Sequence, residues 1–296
     1  MTSAAGRSQR ALLAALGLTS LVLVVELLAA AASHSLSLLA DAGHVAADVS
    51  GMSMSALAVW IARRATDRSR SFGLFRLEVL AANLNAVLLL AVSAFVIWQG
   101  VLRVLQPEAV DGPVMAVVAA GALIANLLSL RVLHGGQSQS LTLRGAYLEL
   151  IGDSLGAGAV LVAGVIDAAT GFQQADGLAA VLIGFLIVPR ALRLLRDTFD
   201  VLMEAAPKGI DVDEVTRHIL EAPGVDAVHD LHAWTITSGM NVVSAHVVLG
   251  PDADPGQLID HLSDCLAGDF DIAHSTFQLE TPEHVIWEGR AQRTTH

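Results

Sequence analysis

Six long apolar runs, separated by short polar stretches, fill the first two thirds of the chain. Each run has about twenty residues or more, the length that an α-helix needs to cross the hydrocarbon core of a bilayer. The pattern therefore predicts an all-α bundle of six membrane-spanning helices. The predicted spans are residues 11–32, 36–62, 77–102, 114–133, 143–166 and 177–195.

The pattern changes near residue 207, where shorter segments with helix or strand periodicity replace the long apolar runs. Two segments repeat apolar positions every three to four residues, and three alternate or run apolar with many β-branched residues. Their order along the chain predicts an α+β domain with the arrangement αββαβ. The helices are expected at 212–221 and 257–266, and the strands at 225–237, 242–249 and 275–280.

Composition separates the same two parts of the chain. The whole sequence is 54% hydrophobic and only 16% charged, with a mean hydropathy of +0.59, which excludes an ordinary soluble protein. Residues 207–296 hold fifteen acidic against four basic residues and eight of the eleven histidines, so they carry most of the net charge of −12. We therefore expect a transmembrane domain (1–206), a cytoplasmic domain (207–290) and a short tail (291–296).

Charge placement bears on partners and on orientation. The sequence has no basic patch interleaved with aromatic residues, so nucleic acid is not expected as a partner, whereas an acidic, histidine-rich domain attracts cations. Basic residues mark cytoplasmic loops, and here they place both termini in the cytoplasm. The arginines that decide this are Arg7, Arg10, Arg63, Arg64, Arg68, Arg70, Arg76, Arg131, Arg144, Arg190, Arg193 and Arg196.

Two polar pairs interrupt the apolar spans, His44 with Asp48 and Glu149 with Asp153. Four residues make one helical turn, so each pair shares one face of its helix. A carboxylate inside a membrane is costly, and such groups usually face the bundle interior and act on an ion or substrate. One histidine and three carboxylates can hold a divalent metal ion, with Asp41 supporting the site or its entrance.

The other spans carry less chemistry. Spans 4 and 6 have no charged residue across their apolar centres and are predicted to be walls of the bundle. Glu26 in span 1 and Glu78 in span 3 are expected to make helix-end or interhelical hydrogen bonds. Gly152 and Gly156 in span 5 predict a face that another helix backbone can approach closely.

Four stretches carry more specific patterns: LLADAGHVAADV (38–49), SFGLFRLEVLAANLNAVLLL (71–90), LRGAYLELIGDSLG (143–156) and VHDLHAWTITSGMNVVSAHV (228–247). Together they resemble the cation diffusion facilitator family, and most closely its zinc-type bacterial branch. The resemblance covers nearly the whole chain. It implies six spans, cytoplasmic termini, a ferredoxin-like cytoplasmic domain, a homodimer, and export of divalent metal in exchange for protons.

The resemblance also assigns residues in the spans. His44 and Asp48 match the ligands of the family's second span, and Asp153 matches the aspartate of its fifth span. Glu149 departs, because zinc-type members usually have histidine there, and a carboxylate favours oxygen-loving ions somewhat more. Zinc is the expected ion, while cobalt, cadmium, iron and manganese stay open. We also expect Glu149 to take over the proton exchange of the missing histidine.

The resemblance also assigns residues in the cytoplasmic domain, where His229, His246 and Glu280 match positions that bind metal in several relatives. Their spacing places them on neighbouring strands, which is compatible with a shared site, although surface histidines with ordinary hydrogen bonds remain the alternative. His232, His261 and His284 are weaker candidates.

The predicted function is efflux of a divalent cation, most of all Zn²⁺, by proton antiport across the bacterial plasma membrane. A secondary active transporter of this kind is not an enzyme, and an intramembrane metallohydrolase would need a motif such as HExxH, which the sequence lacks. A passive channel conflicts with a tight multi-carboxylate site that would trap ions. A membrane-tethered metal sensor, in which the cytoplasmic domain binds the metal, remains the main alternative.

Overall fold

The computed structural model describes residues 20–64, 71–133 and 141–284. The start of the first predicted span, the connection 134–140 and the tail 291–296 lie outside these residues. In chain order the described elements are α1 (Ser20–Ser33), α2 (Leu36–Arg64), α3 (Arg76–Leu105), α4 (Gly112–Leu133), α5 (Leu141–Thr170), α6 (Gln174–Leu202), α7 (Val212–Leu220), β1 (Val225–Thr237), β2 (Met240–Leu249), α8 (Pro255–Phe270) and β3 (Ile272–Glu280).

Helices α1 to α6 each overlap one of the predicted apolar runs. In the described part of the chain, four helical segments are long and apolar enough to cross a membrane: Arg76–Leu105, Gly112–Arg131, Leu150–Thr170 and Gln174–Leu202. Helix α1 is a shorter apolar helix, and α2 has 29 residues but carries Asp41, His44 and Asp48. The count of six spans therefore stays a prediction.

The chain forms two compact units, of which the first contains Met1–Leu57 and Ala81–Leu195. Its buried core is rich in alanine, which lets helices pack closely. The closest approaches lie away from the predicted glycine pair. A Cβ atom on Gly164 of α5 would lie 2.8 Å from the backbone nitrogen of Ala116 in α4, whereas one on Gly152 would meet nothing within 4 Å. The close-packing face of α5 is thus nearer to its C-terminal end than predicted.

The second unit contains Ala58–Leu80 and Arg196–His296. Its three-stranded sheet has the order β1-β2-β3, with β1 antiparallel and β3 parallel to β2. Helices α7 and α8 bury apolar side chains in one core with the sheet, including Ile219, Leu262, Leu266, Val243 and Val247. The order of elements is the predicted αββαβ.

Glu78 in the first turn of α3 belongs to this second unit and bonds outside its own helix. Its carboxylate accepts hydrogen bonds from the hydroxyls of Thr237, at 2.6 Å, and Ser238, at 3.0 Å. Nearby in the sequence, Arg76 forms an ion pair with Glu204 at 2.7 Å. These contacts connect α3 to the turn between β1 and β2 and to the segment after α6.

Candidate metal centres

Three of the four side chains predicted for the transmembrane site lie together. His44 Nε2 is 3.0 Å from Asp153 Oδ1 and 3.6 Å from Asp48 Oδ2. The three possible ligand atoms all lie within 4.8 Å of one another. A single ion placed between them can reach all three at the short distances that metal–ligand bonds require. We refer to His44, Asp48 and Asp153 as the intramembrane cluster.

Helix geometry and helix packing each supply part of this arrangement. His44 and Asp48 are one turn apart on α2, so their side chains point the same way, and Asp153 comes from α5. His44 is buried, and its Nδ1 atom has no hydrogen-bond partner among the described residues. Its other nitrogen, Nε2, therefore carries all of the contacts with the carboxylates.

Three other acidic residues lie on α1, α2 and α5. Glu149 lies on α5 one turn before Asp153, but its side chain is outside the described part of the structure. Asp41 is buried on α2, and its Oδ1 atom would be 3.4 Å from a Cβ atom on Gly156. It is not part of the cluster of ligand atoms. Glu26 of α1 is also buried, and among the described residues its Oε2 atom has no hydrogen-bond partner.

Helix α6 contributes an arginine that was predicted only to set the orientation of the chain in the membrane. The Arg190 guanidinium lies 3.1 Å from His44 Nε2, donates a hydrogen bond to Asp48 Oδ1 at 3.2 Å and is 3.9 Å from Asp153 Oδ1. The prediction that span 6 is only a wall is therefore wrong at this position. The sequence did contain a signal for this role, because Arg190 directly follows Pro189 and so lies within the helix rather than beyond its end.

The cytoplasmic candidates form a second cluster. In the antiparallel ladder His229 is directly opposite His246, and Glu280 on β3 is opposite Val248, two residues after His246. Residues two apart on a strand share a face, so the sheet register brings the three side chains together. His229 Nε2 is 3.0 Å from Glu280 Oε2, and His246 Nδ1 is 2.7 Å from Glu280 Oε1.

Glu280 is the centre of this cytoplasmic cluster. Burial favours its neutral form, but hydrogen bonds from Gln278 and His229, together with the charges of His246 and His229, hold the pKa of Glu280 below its usual value. A buried, ionised carboxylate between two histidines is a ligand set that suits zinc and similar ions.

The weaker histidine candidates lie outside this group of ligand atoms. Asp230 has a positive φ of 51°. Its Oδ1 atom lies 3.0 Å from His232 Nε2, and its Oδ2 atom lies 3.7 Å from His246 Nε2. His261 and His284 are not among the residues whose ligand atoms converge in the described structure.

Known protein families match both the transmembrane part and the cytoplasmic part of the chain. Residues 12–203 match the family model of the cation efflux transmembrane domain, and residues 207–282 match that of the cation efflux protein cytoplasmic domain. The chain therefore belongs to the cation efflux family, also called the cation diffusion facilitator family. Members of this family are membrane transporters, and the cytoplasmic domain is one associated with dimerisation.

Three of the curated relatives that match this chain are similar to it over most of their length. The metal cation efflux system protein CzcD of Cupriavidus metallidurans is 40% identical, covering 93% of this chain and 87% of the relative. The zinc transporter ZitB of Escherichia coli is 36% identical, covering 92% and 87%. A cadmium, cobalt and zinc/H⁺-K⁺ antiporter of Bacillus velezensis is 32% identical, covering 95% and 91%.

Solved structures also match this chain, and one of them covers part of the cytoplasmic domain. It is the metal-bound C-terminal domain of the CzcD transporter, 42% identical, and the match covers 24% of this chain and 99% of that domain with a TM-score of 0.23.

Proposed function

We propose that this protein exports a divalent metal ion from the cytoplasm across the bacterial plasma membrane by exchange for protons. The observation that carries the proposal is the intramembrane cluster, in which a histidine and two carboxylates from α2 and α5 converge within 4.8 Å. Several carboxylates grouped in an apolar helical environment raise the free energy of the folded protein, and binding a cation offsets that increase. Two curated relatives that match most of this chain are named as a metal cation efflux system protein and a zinc transporter.

Zinc is the proposed main substrate. His44 with Asp48, Asp153 and Glu149 would give a four-coordinate site of the type that zinc prefers, with one nitrogen and three oxygen ligands. The additional carboxylate of Glu149 makes the site harder than one with two histidines, which favours cobalt, iron and manganese as secondary substrates. Cadmium is a softer ion, and it is proposed as a secondary substrate on similarity alone. One relative is named for cadmium, cobalt and zinc.

Transport follows from binding at a site that is exposed to one side at a time. The ion enters from the cytoplasm, loses water to the ligands, and leaves on the outside when the helices rearrange. Without an ion, several carboxylates close together in an apolar region repel one another, so protons replace the departing metal. The proton gradient then drives the cycle. Asp48, Asp153 and Glu149 are the proposed proton carriers.

The cytoplasmic cluster is proposed as a second metal site, with His229, His246 and Glu280 as ligands. The same domain is proposed to pair with its copy in a homodimer, with both termini in the cytoplasm. This cluster also favours a second candidate function, a membrane-tethered sensor that binds metal in its cytoplasmic domain without moving it.

Metal flux into proteoliposomes tests the proposal and separates the two functions. Zinc, cadmium, cobalt and manganese are offered in turn under an imposed pH gradient, to the wild type and to Asp153→Ala. Asp167→Ala is the matched control, because Asp167 lies near the far end of α5. We expect gradient-dependent flux that Asp153→Ala loses and Asp167→Ala keeps. Binding without flux in the wild type would support the sensor and overturn the transporter.

A further inference from the structure

The Arg190 side chain contacts every described member of the intramembrane cluster. Its two terminal nitrogens lie 3.1 Å from His44 Nε2, 3.2 Å from Asp48 Oδ1 and 3.9 Å from Asp153 Oδ1. A guanidinium stays protonated under all physiological conditions, so this is a permanent positive charge against the ligand atoms.

The contact with His44 decides between two possible roles for this arginine. An arginine that only oriented the carboxylates would leave the histidine nitrogen free for the ion. His44 Nε2 lies 3.0 Å from Asp153 Oδ1 and 3.1 Å from Arg190, and it can donate to the carboxylate only when it carries the proton. In the tautomer that binds metal through Nε2 the proton is on Nδ1, and because arginine has no acceptor, Arg190 then donates its hydrogen bond to the Nε2 lone pair. In the metal-binding tautomer the arginine and the ion therefore require the same electrons.

A bound ion and the Arg190 guanidinium would also be close enough to repel each other. Zinc bonds to nitrogen and oxygen ligands at about 2.0–2.2 Å. An ion held by His44 and Asp48 would thus lie within about 5 Å of the guanidinium nitrogens, if those nitrogens kept their contacts with the same atoms. Two positive charges so close in a half-buried site repel strongly.

The surrounding helix allows the arginine to move. Pro189 precedes Arg190 inside α6, and because proline has no N–H group the carbonyl one turn earlier loses its helical partner. Such positions are where helices bend. The Arg190 side chain is 37% exposed, so its long stem has room to swing away from the ligands.

Building on the proposed transport function, we propose that Arg190 is an internal competitor of the transported ion. Metal binding displaces its guanidinium from His44 and Asp48, and its return helps to expel the ion. A tight site of this kind would otherwise hold its substrate too firmly for rapid release. Arg190 thus sets the affinity and the release rate of the carrier.

Metal binding to the full chain in detergent tests this competition directly. All proteins carry His229→Ala and His246→Ala, so that calorimetry with zinc reports on the intramembrane site. Arg190→Gln removes the charge, Arg190→Lys keeps a cation, and Arg193→Gln removes an exposed arginine of the same helix. Asp153→Ala is the blank for the site itself.

We expect Arg190→Gln to bind zinc about tenfold more tightly or better, with Arg190→Lys and Arg193→Gln close to the parent. In proteoliposomes without the cytoplasmic substitutions, Arg190→Gln should lower both KM and the maximal rate, because release becomes slower. Arg190→Met, which keeps an unbranched stem, repeats the comparison if the Gln variant is not monodisperse.

The outcomes separate this inference from the proposed function. Equal or weaker zinc binding by Arg190→Gln, with binding lost in Asp153→Ala, would overturn the competition and leave the transport site standing. Full zinc binding by Asp153→Ala would overturn the site, and with it the proposed function.

Discussion

The Arg103 guanidinium and the Asp176 carboxylate form an ion pair of 2.9 Å in which Asp176 is almost completely buried. The same carboxylate accepts hydrogen bonds from the hydroxyls of Ser35 and Ser37 and from the backbone N–H of Leu36. One acid from α6 therefore caps the first turn of α2 and binds an arginine of α3.

We expect Asp176→Ala to destabilise the protein by about 3–5 kcal/mol, because it leaves Arg103 without its buried partner and α2 without its cap. Glu108→Gln is the matched control. Glu108 also pairs with Arg103, at 2.6 Å, but its side chain is 72% exposed, so its loss should cost about 0–1 kcal/mol. Thermal unfolding in detergent measures both. Equal losses in the two variants would contradict the role of burial.

Glu149→His should shift substrate preference toward softer ions. The replacement gives the proposed site a second imidazole in place of a carboxylate, and imidazole suits zinc and cadmium better than manganese. The ratio of zinc to manganese flux in proteoliposomes should rise several-fold over the wild type. An unchanged ratio would show that residue 149 does not contact the ion.

Glu149→Gln should weaken the coupling of transport to protons. The amide keeps the size and the oxygen ligand of glutamate but cannot carry a proton in exchange for metal. We expect zinc flux in this variant to respond less to an imposed pH gradient. Flux that keeps its full gradient dependence would assign the proton exchange to Asp48 and Asp153 alone.

Metal binding by the cytoplasmic cluster can be isolated in the full chain with Asp153→Ala as background. His229→Ala removes one of the three convergent ligands and should weaken zinc binding at least tenfold, because two ligands hold zinc poorly. His261→Ala removes a histidine that lies outside the cluster and should leave binding unchanged. Equal effects of the two substitutions would disprove the assigned ligand set.

The N-terminus of α8 gives a prediction about pH. The Asp254 carboxylate accepts hydrogen bonds from the backbone N–H groups of Gln257 and Gly256, at 3.1 Å and 2.9 Å, and these lower the pKa of Asp254. A folded-state pKa below the unfolded value stabilises the helix above about pH 4, and this contribution is lost as pH falls through the lowered pKa.

Asp254→Ala should therefore increase hydrogen exchange in the first turn of α8 at pH 7. Asp254→Asn should have a smaller effect, because asparagine caps helices about as well. The exchange difference between wild type and Asp254→Ala should shrink at acidic pH. A difference that stays constant down to pH 3 would contradict the lowered pKa.

Local features of the structure were predictable from the sequence because they depend on near neighbours. Apolar periodicity located helices α2 to α5 to within four residues at each end, whereas α6 runs seven residues past its predicted end at residue 195. Strand alternation located β1 and the αββαβ order. The spacing of His44 and Asp48 fixed their common face in the same way. Glu149 and Asp153 share their helix for the same reason.

Contacts between distant parts of the chain were not predictable in this way. Arg190 and His44 are 146 residues apart, and only the packing of α6 beside α2 brings the arginine to the cluster. The Asp176 cap on α2 and the close approach of α4 and α5 at Gly164 likewise depend on which helices are neighbours.

The sequence by itself determined the apolar runs, the polar pairs within single helices and the order of elements, because hydrogen bonds and side-chain periodicity within one helix or strand act over only a few residues. Only the tertiary structure decided that Asp153 meets His44, that Glu280 lies between His229 and His246, and that an arginine contacts the proposed ion site. Those outcomes depend on helix packing and sheet register, which sum many weak contacts across the whole fold.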